Sequence, residues 1–167
     1  VDLLVEVAQR TASSMYLQAY SIISVTDPAL KKELAAISRQ PYVENNGHLF
    51  VFVVDQHRNT EIAKALGQEV SVQGSADRFV SGLTDAVIAA QNVVVAAESL
   101  GMGTVYLGSL FNDTAKVVEL LNLPEYTYPA IGVALGWPSQ EPQLKPRLPK
   151  EVIHMENGYR ELENPLE

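Results

Sequence analysis

Cysteine is absent from the 167-residue sequence. That excludes a disulfide framework, a Cys-ligated zinc site and a thiol nucleophile. Positive charge is scarce: 12 Lys and Arg stand against 20 Asp and Glu, for a formal net charge of −8. This acidic balance argues against nucleic acid and anionic membrane as partners. Long uncharged runs are missing too, because Ala86–Ala97 and Tyr126–Gln140 are too short or too broken by Pro and Gly to cross a bilayer. Nothing at the start resembles a signal peptide, so the expectation is a soluble, cytoplasmic protein. Val1 stands where an initiator methionine is missing, which favours a piece of a longer protein. His48, His57 and His154 share no metal-ligand spacing, and no metal is expected. A Gly-x-Ser-x-Gly elbow and a Gly-Lys-Ser/Thr phosphate loop are both lacking. Gly101-Met102-Gly103 is not a dinucleotide fingerprint, since it precedes a strand and has no third Gly.

What is present is a well-patterned globular chain, 47% hydrophobic and 19% charged. Its length suits one domain over residues 1–167. Asp2–Arg10 has helical spacing, and Thr11–Ser14 is a hydroxyl-rich loop. Tyr20–Val25 is β-branched and aromatic, a strand. Thr26-Asp27-Pro28 starts a helix to about Ser38, which Gln40-Pro41 ends. Leu49–Val54 is almost continuously apolar and predicts a strand buried on both faces. Residues 54–78 are polar, without strong period, and read as a surface excursion with one weak helical turn. Phe79–Leu100 predicts one long helix with only Asp85 and Glu98 charged. At 100° per residue its Ser81, Asp85, Asn92 and Ser99 form one narrow stripe, and nearly everything else is apolar. Such a helix needs cover on most sides, which points to a subunit interface, with Val94 on the covered side. Strands follow at Thr104–Leu107 and Ala130–Leu135, separated by a helix that Asn112 or Asp113 caps. Five of the nine prolines lie from Pro138 onward, so 138–167 is expected to be an extended arm along a surface, without elements. The alternation of strands and helices indicates an α/β or α+β sandwich.

Two places can carry chemistry. In Lys145-Pro146-Arg147-Leu148-Pro149-Lys150, three of the twelve basic residues fall within six positions. Proline stiffening lowers the entropy of presenting Lys145 and Arg147 together, and a Lys beside a planar Arg suits a phosphate. Read by itself, the run fits a solvated loop balancing nearby Glu residues slightly better. At Val105–Leu110 a strand enters a turn at Gly108, whose N–H can approach a flat ligand closely. Read by itself, an ordinary strand-to-helix turn explains that Gly better. Ser13, Ser14 and Gln40 add uncharged donors and acceptors suited to the polar edge of a heterocycle.

Taken in order, these segments resemble one family. Thr11–Ile23, Gln40-Pro41-Tyr42-Val43, Ala96–Gly103, Tyr106–Leu110 and Leu144-Lys-Pro-Arg-Leu-Pro149 are similar to the oxygen-insensitive NADPH nitroreductase and NADPH–flavin oxidoreductase group. The order and spacing hold over most of the chain, and the 54–78 segment is the least alike. The resemblance implies an α+β fold: a nitroreductase-like sandwich with a mostly antiparallel central sheet and a long central helix, built as an intertwined homodimer. FMN would lie at the interface. Lys145 and Arg147 would hold its phosphate, and Ser13, Ser14 and Gln40 would meet the ring or ribityl chain. The Gly108 N–H would face flavin N5, with Leu107 and Ser109 lining the same turn.

The implied activity is two-electron, ping-pong hydride transfer from NADPH or NADH to nitroaromatics, quinones or free flavin, with no side chain required as acid or base. Family members also carry a basic segment before the point where this sequence starts, and C-terminal helices after the point where it stops. Two other readings follow from those departures and from the acidic surface. One is an FMN-binding or sensing module without turnover, the other a cofactor-free dimeric interaction protein.

Overall fold

The computed structural model describes residues 1–161. Its centre is a four-stranded, wholly antiparallel sheet in the order β1-β2-β4-β3, formed by β1 (Tyr20–Val25), β2 (His48–Asp55), β3 (Gly103–Leu107) and β4 (Thr127–Gly136). Strand β2 is central, and its alternation builds both cores at once. Phe50, Phe52 and Val54 face one side, where α1 (Asp2–Gln9) and α4 (Ala76–Ser99) pack. Leu49, Val51 and Val53 face the other, with Leu34 of α2 (Pro28–Ser38) and Val117 of α5 (Thr114–Leu120). The continuous apolar run read as doubly buried is thus the middle layer of a three-layer sandwich. A bulge in β4 leaves Ala130 extra between the pairs Phe52–Ile131 and Val53–Pro129. It places Ala130 and Ile131 on the same α4-facing side.

Local chemistry sets the helix starts. Asp27 accepts the N–H of Ala29 at 2.9 Å, and Pro28 follows at the first helical position. Asp113 accepts the N–H of Lys116 at 3.0 Å to start α5, so Asp113 rather than Asn112 is its cap. Asn112 instead donates to the Ile37 carbonyl at 3.0 Å, tying the 3-10 turn Gly108–Asp113 to the end of α2. That turn packs so closely under β4 that a Cβ on Gly132 would stand 2.9 Å from Leu110 and 3.0 Å from Leu107.

Helix α4 has three faces. Ala86, Ala89, Ala90, Val93, Val94 and Ala97 pack on the sheet and α1. Asp85 and Asn92 form the polar stripe. Val80, Val87, Ile88 and Val95, spaced seven, one and seven residues apart, form an exposed apolar stripe. Val94 is therefore a core residue of its own chain, and Val95 lies on the uncovered side. By length and composition α4 is apolar enough to cross a membrane, but its packed Ala/Val face accounts for that composition here.

Two expectations are corrected. The polar 54–78 segment contains α3 (His57–Ala65), a full nine-residue helix rather than one weak turn. Asp55 caps it from outside, accepting the N–H of Arg58 at 3.0 Å, and Thr60 is buried beneath it. The proline-rich arm is extended through Pro149 but then forms a single turn, α6 (Lys150–Ile153). Its first residues, Pro138, Ser139, Gln140 and Pro142, line a cleft with Tyr42 and Gly103, and beyond them the arm stands in solvent, with Leu144 96% exposed. The last six residues of that arm, 162–167, lie outside the described residues.

Candidate functional site

The hydroxyl-rich segment before β1 is held in an unusual shape. Met15, Tyr16 and Gln18 all take left-handed backbone angles, with φ of 52°, 57° and 49°. Non-glycine residues reach that region at a cost and stay there only when their surroundings require it. Here the requirement is visible on both sides. From α4, buried Asp85 accepts the Ser14 N–H at 2.8 Å and the Ala19 N–H at 3.3 Å, and Asn92 donates to Thr11 Oγ1 at 2.7 Å. From α3, Asn59 donates to the Leu17 carbonyl at 3.1 Å, and Arg58 donates to the carbonyls of Gln18 and Tyr20. Ser13 Oγ closes the loop by accepting the Gln18 N–H at 3.3 Å. Ser14 is exposed.

Tyr20 stands behind this loop and donates to the Ala8 carbonyl at 3.0 Å. Burial, and then the Asp85 carboxylate, push its phenol above the usual range, with Arg58 opposing them. The Arg58–Asp55 pair, 3.5 Å apart, and Ser21, which donates to Asp55 at 2.5 Å, complete the support.

Gln40 is half-buried at the entry to the 3-10 turn Pro41–Val43, just after the left-handed Arg39 that ends α2. Gly108 opens the turn after β3, and Ser109 follows it half-buried. The Asn112 bond to Ile37 brings these two segments together on the α2 side of the sheet. A Cβ on Gly108 would meet nothing within 4 Å, so open space lies against this main chain. The Leu107 side chain, 1% exposed, points into the core against Gly132, leaving only its main chain for a ligand.

Lys145 and Arg147 lie on the exposed arm. Among the described residues neither joins an ion pair, and Arg147 donates only to the carbonyls of Lys145 and Pro146, 3.1 Å each. No glutamate is paired there, and both cations face solvent. The eight sequence-predicted residues do not converge within one chain. Ser13 and Ser14 precede the outer strand β1, while Leu107, Gly108 and Ser109 end or follow β3 at the opposite edge. Two surface clefts of about 540 and 560 Å³ open elsewhere, one beside Tyr16–Gln18 and Arg58, the other between Tyr42, Gly103 and Trp137. None of the eight residues lines either. No cluster of three His, Asp or Glu side chains with ligand geometry occurs among the described residues.

The donor set fits a phosphate-bearing flat heterocycle. Uncharged hydroxyls and an amide, an open main-chain edge at Gly108 and two unpaired cations are what such a molecule needs. Sequence reasoning saw the polar stripe of α4 without a task for it, and it missed Arg58 and Asn59. The stripe's Asp85 is the signal that could have pointed to the loop, since a lone acid on an apolar helix face must find donors.

Known proteins share this sequence and fold. The sequence model described as "Nitroreductase family" matches residues 1–137. An FMN reductase (NADPH) of Bacillus subtilis is 44% identical over 161 residues, covering 95% of this chain and 65% of that protein. An NADPH-dependent oxidoreductase of Staphylococcus epidermidis is 49% identical over 158 residues, covering 92% of this chain and 63% of that protein. The chain thus spans less than two thirds of the length of these relatives. Among solved structures, the NfrA1 nitroreductase of B. subtilis superposes with a TM-score of 0.95 at 43% identity, over 98% of this chain and 67% of that one. The NADPH:FMN oxidoreductase of Vibrio harveyi, solved in complex with NAD+, gives 0.89 at 40% identity, over 96% of this chain and 68% of that one. By its sequence and by its fold, the chain belongs to the nitroreductase family.

Proposed function

We propose that the protein is an FMN-dependent oxidoreductase that passes two electrons from NADPH, or NADH, to small acceptors: nitroaromatics, quinones or free flavin. The observation that carries this reading is the match to the B. subtilis FMN reductase (NADPH), which covers 95% of the chain and so takes in every residue from Ser13 to Arg147. When bound, FMN supplies the hydride chemistry. The chain's own residues bind and orient it. Lys145 and Arg147 neutralise the phosphate, which a stiff proline-flanked arm can present at low entropic cost. Ser13, Ser14 and Gln40 supply hydrogen bonds to the ring edge or ribityl chain. The Gly108 N–H, with the main chain at Leu107 and Ser109, lines the open edge where a donor stabilises developing negative charge. No side chain is needed as a general acid or base. A ping-pong order follows if donor and acceptor use that same edge in turn.

We place residues 1–167 in a single flavin-binding domain, with the arm that begins at Pro138 extended from it through Pro149, acting as a cytoplasmic homodimer. The exposed stripe Val80, Val87, Ile88 and Val95, together with Val105 and Tyr106 on the neighbouring edge strand, is the surface a second copy would cover. A dimer also explains why the site residues flank opposite edges of one sheet: each site would draw on both subunits. The test uses the intact protein loaded with FMN and freed of excess. NADPH consumption that depends on a quinone, a nitro compound or FMN, with parallel double-reciprocal plots, is expected. An FMN-loaded protein that oxidises neither NADPH nor NADH with any acceptor would instead be a binding module without turnover.

A further inference from the structure

Asp85 is a buried carboxylate on an otherwise alanine- and valine-rich helix, 2% exposed and in no ion pair among the described residues. A buried charge is costly unless hydrogen bonds repay it. Its two oxygens are committed to main-chain donors, Oδ1 to Ser14 N–H at 2.8 Å and Oδ2 to Ala19 N–H at 3.3 Å. Between these two amides lie the three left-handed residues Met15, Tyr16 and Gln18. One turn pair further along α4, Asn92 grips Thr11 at 2.7 Å, so the helix holds the segment at three points. Both ends of the strained loop are thus tied to one side chain.

We propose that Asp85, aided by Asn92, is a positioning residue for the cofactor site. It presets the 13–18 loop so that Ser13 and Ser14 are already presented when FMN arrives. This rests on the flavin reading above. The polar stripe on α4 is then the mount of the loop, and the strain of that loop is held by charge-assisted bonds from one carboxylate.

The test compares intact wild-type protein with Asp85→Asn, which keeps the shape but sets an amide nitrogen against one of the two N–H groups. Amide hydrogen exchange is followed without cofactor, and FMN affinity by fluorescence titration. The Ser14 and Ala19 amides should exchange at least tenfold faster, while those of Phe50 and Val133 in the sheet stay unchanged. FMN should bind about tenfold more weakly, the weight of one charge-assisted hydrogen bond. Asn92→Ala, which removes a neutral bond and leaves Asp85 in place, should weaken FMN by a few-fold and serves if Asp85→Asn does not fold. Unchanged exchange at Ser14 and Ala19, equal acceleration through the sheet, or unchanged FMN affinity in both variants would overturn the proposal. Wild-type protein that takes up no FMN would overturn the flavin reading itself, a failure visible before any variant is made.

Discussion

At the scale of single residues, Gly108 is the sharpest probe. Its Cβ would meet nothing within 4 Å, so Gly108→Val should leave the melting temperature within a few degrees while filling the space where a flavin edge would sit. FMN affinity should fall by about tenfold or more in a titration; an unchanged affinity would remove Gly108 from the site. His48 is a second probe. Its ring bonds to Ser24 Oγ at 3.2 Å and packs edge-on to Phe50, as expected of a structural histidine. Burial first, and Lys31 second, hold its pKa below the usual value. The unfolded chain therefore takes up the proton first as pH falls below about 6.5. Its stabilising share is complete above that pH and is lost as the pH falls through the lowered folded value. His48→Gln should flatten this part of the acid-side fall in melting temperature; an identical slope in both proteins would refute it.

At the scale of elements, strands and capped helices were legible because their signals are short-range. Tyr20–Val25 and Pro28–Ser38 coincide with their observed limits, since a β-branched run and an Asp-Pro start need no tertiary help. Helix α3 was not legible, because its cap, Asp55, sits at the end of β2 and its hold on the Leu17–Gln18 carbonyls is long-range. The division of α4 was half legible. Its all-round apolarity was plain, but which side meets the sheet depends on register, which puts Val94 in the core rather than at the interface and leaves Val95 exposed. Val95→Asp should turn a dimer into a monomer in light scattering while the fold persists. Val94→Asp should unfold the chain at a cost of several kcal/mol, because the charge enters the sheet–helix core. A Val95→Asp protein that remains dimeric would put the interface elsewhere.

At the scale of the whole molecule, the three-layer sandwich explains its own interior and leaves its surface incomplete. The apolar α4 stripe, the bare arm from Trp137 to Leu148 and a candidate site split between opposite sheet edges all lack cover in one chain. The burial of β2 could be anticipated from its apolar run and the antiparallel sheet from the family resemblance alone; the splitting of the site could not, because it is a property of strand order. A flavin-binding dimer resolves all three at once. The most direct test is a visible absorption spectrum of the purified intact protein, with its mass by light scattering on the same sample. Flavin bands on a species of twice the protomer mass are predicted. A monomer that stays colourless after FMN is added and the excess removed would contradict the account.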